Sequence, residues 1–153
     1  MTRKLEDYIG AGIVLVIALT VALSLGSCEE VNASEIVYQT IAMEGANQSL
    51  EGQAMIASTL LNRALIRHST PEIEAKRPKQ YSCWNDPKWA RAWLDKHYTP
   101  KTRQNAEKAY KTALVGSGIN HFTHYHRVDI LPYWAVGQRG VRHGDHVFYA
   151  DIP

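Results

Sequence analysis

The chain has 153 residues, a formal net charge of +2 and a pI of about 8.5, with 45% hydrophobic and 21% charged residues. That size fits one domain with a real core, and the composition excludes collagen-like, low-complexity and intrinsically disordered classes. Basic and acidic side chains are interspersed rather than gathered into a stripe, which argues against a nucleic-acid partner and is compatible with an anionic polymer.

In chain order, the first element is directed to a membrane. Arg3 and Lys4 precede a charge-free apolar run from Ile9 to Ser27, and Glu29 and Glu30 follow it. The run is long enough to cross a bilayer as one helix, and the basic residues before it place everything after Cys28 outside the cytoplasm. Residues 1–28 are therefore read as a signal anchor or transmembrane segment and residues 29–153 as one extracytoplasmic domain. Three fates fit the segment: a cleaved signal peptide, a lipoprotein signal with Leu25-Gly26-Ser27-Cys28 as its lipobox, or a retained anchor. Dilution of the run by Gly10, Gly12, Gly26 and several alanines weakens its preference for lipid, as suits a helix able to leave the bilayer. Cys28 and Cys83 are the two cysteines; outside the cytoplasm they are candidates for a redox pair, Cys28 for lipidation, and both for plain buried thiols.

The next stretch, EVNASEIVYQTIAME, reads as a helix with Asn32 as N-cap and Glu35 closing a capping box, ending near Gly45. Ser49 caps a second helix, with Glu51 in its first turn and a stripe of Met55, Ile56, Ala57, Leu60, Leu61, Ala64 and Leu65 that makes it the best core candidate. Pro71 and Pro78 bound a short helix followed by a loop. Asp86-Pro87 and Thr99-Pro100 each open a further helix, and Gly116 and Gly118 end the last one. From Ile119 onward the helical period is lost, and a segment rich in aromatics, histidine and glycine reads as an ordered loop with short strands, HVFYA the clearest. The fold class expected is mainly α, of the α+β type.

Glu44 stands at the end of the first helix between Met43 and Gly45. Cleavage of a glycosidic bond needs a carboxyl that delivers a proton to the leaving oxygen, and apolar surroundings help a glutamate keep that proton at neutral pH. A solvated helix end is the plainer reading of the same residue.

Five stretches in order, MEGANQSLEGQAMIASTLLNRA, QYSCW, NHF, LPYWA and GDHVFYA, resemble the SleB-like cell-wall hydrolases, the family of the spore-cortex-lytic enzymes, over Glu35 to Ala150. The resemblance implies a lysozyme-like, lytic-transglycosylase-like domain that cuts the MurNAc-GlcNAc strand of peptidoglycan, with Glu44 as its acid. Ser82, Trp84, His121, Phe122, Trp134, His146 and Tyr149 are the cleft residues it suggests. Tyr81 stands where the family often has phenylalanine and adds a hydroxyl that needs a partner if buried; Gly45 stands where alanine is common and is expected to loosen the helix end.

A lytic transglycosylase needs one carboxyl, whereas a hydrolase needs a second at a suitable separation, for which Glu51 is the candidate beside its structural role as a first-turn acid. The rival chemistry is a zinc amidase or peptidase built on His121, His124, His126, Asp129, His143, Asp145 and His146. Their spacing matches no zinc motif and HExxH is absent, so no metal or other cofactor is expected. Trp89 and Trp93, one turn apart, are read as helix-packing residues.

The expectation is thus a monomeric muralytic enzyme tethered to the cytoplasmic membrane through residues 9–27, resembling the signal-arrest-release endolysins of bacteriophages, with Cys28 and Cys83 as a redox switch. The alternatives are a bacterial lipoprotein or anchored wall-remodelling enzyme of the same chemistry, the zinc enzyme, and a peptidoglycan-binding module without activity.

Overall fold

The structure, a computed structural model, describes residues 33–116 and 121–150. The apolar run 9–27 and Cys28 lie outside the described residues, and among the described residues no helix is long and apolar enough to cross a membrane. Among the described residues, five α-helices and a small sheet give the α+β class expected: α1 (Glu35–Glu44), α2 (Leu50–Ile66), α3 (Pro71–Lys76), α4 (Pro87–His97), α5 (Pro100–Val115), then β1 (Phe122–Arg127), β2 (Val141–His143) and β3 (His146–Ala150).

Local chemistry explains four of the five helix starts. Ser49, Thr70, Asp86 and Thr99 each accept a bond from a backbone N–H in the turn they open, and proline follows directly at the start of α3, α4 and α5. These bonds satisfy N–H groups that have no partner inside the helix, and proline has none to lose. The first helix departs from expectation. Its N-cap is Ser34, with no side-chain bond, and Glu35 pairs with Arg103 of α5 at 3.0 Å rather than closing a capping box.

The main core lies between α1, α2 and α5. Val37, Tyr38, Ile41 and Leu60 meet Ala106, Ala109 and Ala113, whose small side chains let the helices approach closely. Leu65, the last residue of the expected stripe on α2, is exposed. At the far end of α2, the Glu74 side chain is wholly buried and accepts from Arg67, Arg77 and Ser69, fixing α3 against the helix pair.

The sheet is antiparallel in the order β1-β3-β2, and its β1-β3 register shifts between Phe122 and His124. A strand alternates faces, so Phe122 and Tyr125 would point oppositely in a regular ladder. The shift puts both against Phe148, at ring separations of 5.7 and 5.5 Å, as a bulge that re-aims side chains does. Bulge carbonyls lose ladder partners; here Asn62 donates to the Phe122 carbonyl at 3.0 Å and Arg63 to that of Thr123. The inner face packs Phe122 and Phe148 on Met55 and Ile56 of α2.

Candidate active site

Glu44 is the last residue of α1, where the helix runs out into a cleft of about 800 Å³. The helix end is packed rather than loosened by Gly45: an added Cβ would stand 2.7 Å from Gln53 Cγ, and the Gln53 amide donates to the Gly45 and Gln48 carbonyls. The glycine is there because another chain segment comes too close for a side chain.

Three donors converge on the Glu44 carboxyl. Ser82 Oγ, at 3.2 Å, and the Cys83 backbone N–H, at 2.9 Å, both donate to Oε1, and the Tyr125 hydroxyl donates to Oε2 at 2.9 Å. The surroundings of the carboxyl are therefore more polar than Met43 and the small residues of the sequence suggest. A 3₁₀ turn, Ser82–Trp84, aims the first two donors, and β1 brings the third across 81 positions. Burial first, and then the charge of Glu44, pushes the Tyr125 hydroxyl well above its ordinary range, so it remains a donor. The same two causes raise the thiol of Cys83, which is 3% exposed. A buried thiol held in that form is a poor partner for exchange, because the thiolate is the reactive species.

Behind this cluster, Arg63 and Tyr81 are buried at the helix-sheet junction, with the guanidinium carbon 5.5 Å from the ring centroid. Among the described residues the Tyr81 hydroxyl has no well-formed hydrogen bond and only the Arg63 guanidinium beside it, so its extra oxygen carries a cost of burial.

His146, 5% exposed, lines the cleft with its ring edge-on to Tyr125 at 5.1 Å. Burial lowers its basicity, against the raising effect of Glu44 and Asp145. The turn before it is clamped to the start of α2: Gln48 donates to Asp145 Oδ2 and accepts from the Asp145 N–H, while His143 Nε2 lies 3.1 Å from Ser49 Oγ. Gly144, at φ +55°, takes the left-handed conformation there, which a side chain would strain.

Of the residues expected in the cleft, Ser82 and His146 line it with Glu44, as does Cys83. Trp84 does not: its indole N–H donates to Thr40 Oγ1 at 2.9 Å and the Lys76 ammonium lies 3.7 Å over its ring. Phe122 is a core residue, and His121 is exposed away from the cleft. Trp134 and Tyr149 belong to a ring cluster on the outer face of the sheet with His124 and His126, where His126 Nε2 meets the Tyr149 hydroxyl at 2.9 Å. Glu51 is exposed and outside the cleft, whereas Asp86 and Asp145 line it. Among the described residues, no group of three or more His, Cys, Asp or Glu side chains is placed to hold a metal ion.

Three aromatic residues line the cleft without being expected there, Tyr125, Trp89 and Trp93. Alternation within FTHYHR sets Tyr125 on the opposite face from its histidine neighbours. Trp89 and Trp93, expected as helix-packing residues, line the cleft too: Trp89 is 48% exposed, and Trp93, one turn on, is also partly buried against the core.

A family model described as Cell Wall Hydrolase matches residues 47–149. No curated protein and no solved structure matches the chain.

Proposed function

The chain belongs to the cell wall hydrolase family, a membership that supports degradation of peptidoglycan, and we propose that it cuts the glycan strand as a lytic transglycosylase with Glu44 as acid and base. The observation that carries this reading is the single carboxyl at the end of α1, inside the cleft and gripped by three donors.

The grip distinguishes the two carboxyl oxygens. Among the described residues, Oε1 accepts two bonds, one of them from a backbone N–H that can only donate, whereas Oε2 accepts from Tyr125, whose hydroxyl can also turn and accept. Oε2 is thus the oxygen free to carry the proton. It gives that proton to the glycosidic oxygen as the bond from C1 breaks and positive charge builds on the MurNAc ring. The resulting carboxylate takes the proton of the same sugar's C6 hydroxyl as O6 attacks C1, closing a 1,6-anhydro ring and consuming no water. Ser82 and Cys83 hold the carboxylate in place between the two half-reactions, a role that preorganised donors fill without reorganising.

The other carboxylates in the cleft have structural partners, which supports a one-carboxyl reaction. Asp86 Oδ1 accepts from the Lys88 and Trp89 N–H groups, and Asp145 is held by Gln48. A helical body presenting its acid at a helix end supports a lysozyme-like organisation. The charge-free run of residues 9–27 supports delivery across the cytoplasmic membrane on a signal anchor, with release as a monomeric phage endolysin.

Mass spectrometry of purified peptidoglycan digested with residues 29–153 tests the reaction. Anhydro-muropeptides are the expected products. Reducing sugar ends would assign hydrolysis instead and make Asp86 or Asp145 the second carboxylate, and cut peptides on an intact glycan would overturn the glycosidase reading.

A further inference from the structure

The four tryptophans of the chain differ in what they touch. Trp84 bonds to Thr40, Trp93 lines the cleft but packs against the core and His97 at a ring separation of 5.3 Å, and Trp134 meets His124, His126 and Tyr149. Trp89 has no comparable role: among the described residues its ring meets no other ring or cation, and its indole N–H has no hydrogen-bond partner. It is nonetheless held in the cleft wall, 48% exposed to solvent.

Its backbone is anchored. Trp89 sits in the first turn of α4, after Pro87, and its backbone N–H donates to Asp86 Oδ1 at 3.1 Å. The same continuous segment begins with Ser82 and Cys83, which grip Glu44, and continues along the cleft through Asn85 and Asp86. One wall of the cleft therefore carries the acid's donors at one end and a bare indole at the other.

From this we infer that Trp89 is a saccharide-stacking platform, a binding subsite for a sugar ring of the glycan strand beside the point of cleavage. The inference rests on the glycan-cleaving reading above. A sugar ring presents C–H groups on its face and hydroxyls around its edge. The C–H face suits the electron-rich face of an indole, and the free indole N–H can donate to a hydroxyl or acetamido oxygen. A rigid ring gives this contact at little cost in side-chain freedom.

The test measures binding of soluble, peptide-free glycan strands to the Glu44→Gln protein by calorimetry, with and without Trp89→Ala, together with KM and kcat in the active enzyme. Trp89→Ala is expected to weaken binding and raise KM about tenfold, the scale of losing one aromatic anchor, with kcat within about twofold. Trp89→Phe is expected to recover most of the affinity, and the half-exposed position leaves the melting temperature of either variant near that of the parent. Unchanged affinity and KM in Trp89→Ala, or a loss confined to kcat, would overturn the platform while glycan cleavage stands. If the parent enzyme leaves glycan intact, the underlying reading fails and the platform fails with it.

Discussion

The helical part, residues 33–116, is assembled from signals that lie within a few residues of one another, whereas residues 121–150 take their shape from contacts far apart in sequence. Each cap on α2, α3, α4 and α5 is a single residue acting on the next turn. In the second region, β1 is held by Asn62 and Arg63, the turn before β3 by Gln48 and Ser49, and Tyr125 by the carboxyl of Glu44. The contrast teaches how the labour is divided: the helices place the carboxyl, and the remote segment completes its hydrogen bonding.

The largest effect expected from breaking this arrangement is on the helical side. Glu74→Ala leaves Arg67 and Arg77 without their shared acceptor. It should cost on the order of 2–3 kcal/mol, below the value for a wholly buried pair because both guanidiniums reach solvent. Chemical denaturation measures this, and an unchanged midpoint would show that α3 needs no ionic anchor. Next, Tyr125→Phe keeps the ring packing and removes one donor from Glu44. A fall in kcat of about tenfold, about 1.4 kcal/mol, with a retained melting temperature is expected.

Acid should separate the two regions. Despite the opposing effect of burial, the bonds from Arg77, Ser69 and Arg67 hold Glu74 down at about 2, so its contribution is complete above the usual carboxylate value near 4.5 and is lost as pH falls toward 2. Burial, followed by the charges of Arg63 and Arg67, lowers His124 to about 4. The unfolded chain then takes up that proton first, and stability falls as pH drops from about 6.5 to about 4. Amide exchange in β1 and β3 should therefore accelerate before that of α1 and α2 on acidification, and simultaneous loss would contradict the separation. The smallest change is Ser82→Ala, about two- to threefold in kcat, because its 3.2 Å bond to Glu44 is exposed and the Cys83 N–H remains.

What the sequence revealed follows the same division. Helix starts at Ser49, Asp86 and Thr99 are legible because Ser, Thr or Asp caps act locally, as Thr70 also does before Pro71, and Glu44 stands out as a charge in an apolar pattern. The expected cap at Asn32 lies outside the described residues; the helix opens behind Ser34, so Glu35 stands at its first position rather than three past the cap, and there it pairs with Arg103. Trp84 and Trp89 are five positions apart and chemically identical, yet one bonds inward to Thr40 and the other faces the cleft. No local rule distinguishes them, because the packing of α4 decides. The bulge that turns Phe122 and Tyr125 to one face likewise depends on Asn62 and Arg63, some 60 positions away.

The role of Glu44 is tested most directly by the turnover of purified peptidoglycan by Glu44→Gln, an exchange that keeps the side chain's size and removes its acidity. The predicted result is a loss in kcat of roughly a thousandfold, within the range for removing a general acid, with glycan binding and melting temperature retained. Turnover near that of the parent enzyme would contradict the assignment of Glu44 and leave the cleft without its central residue.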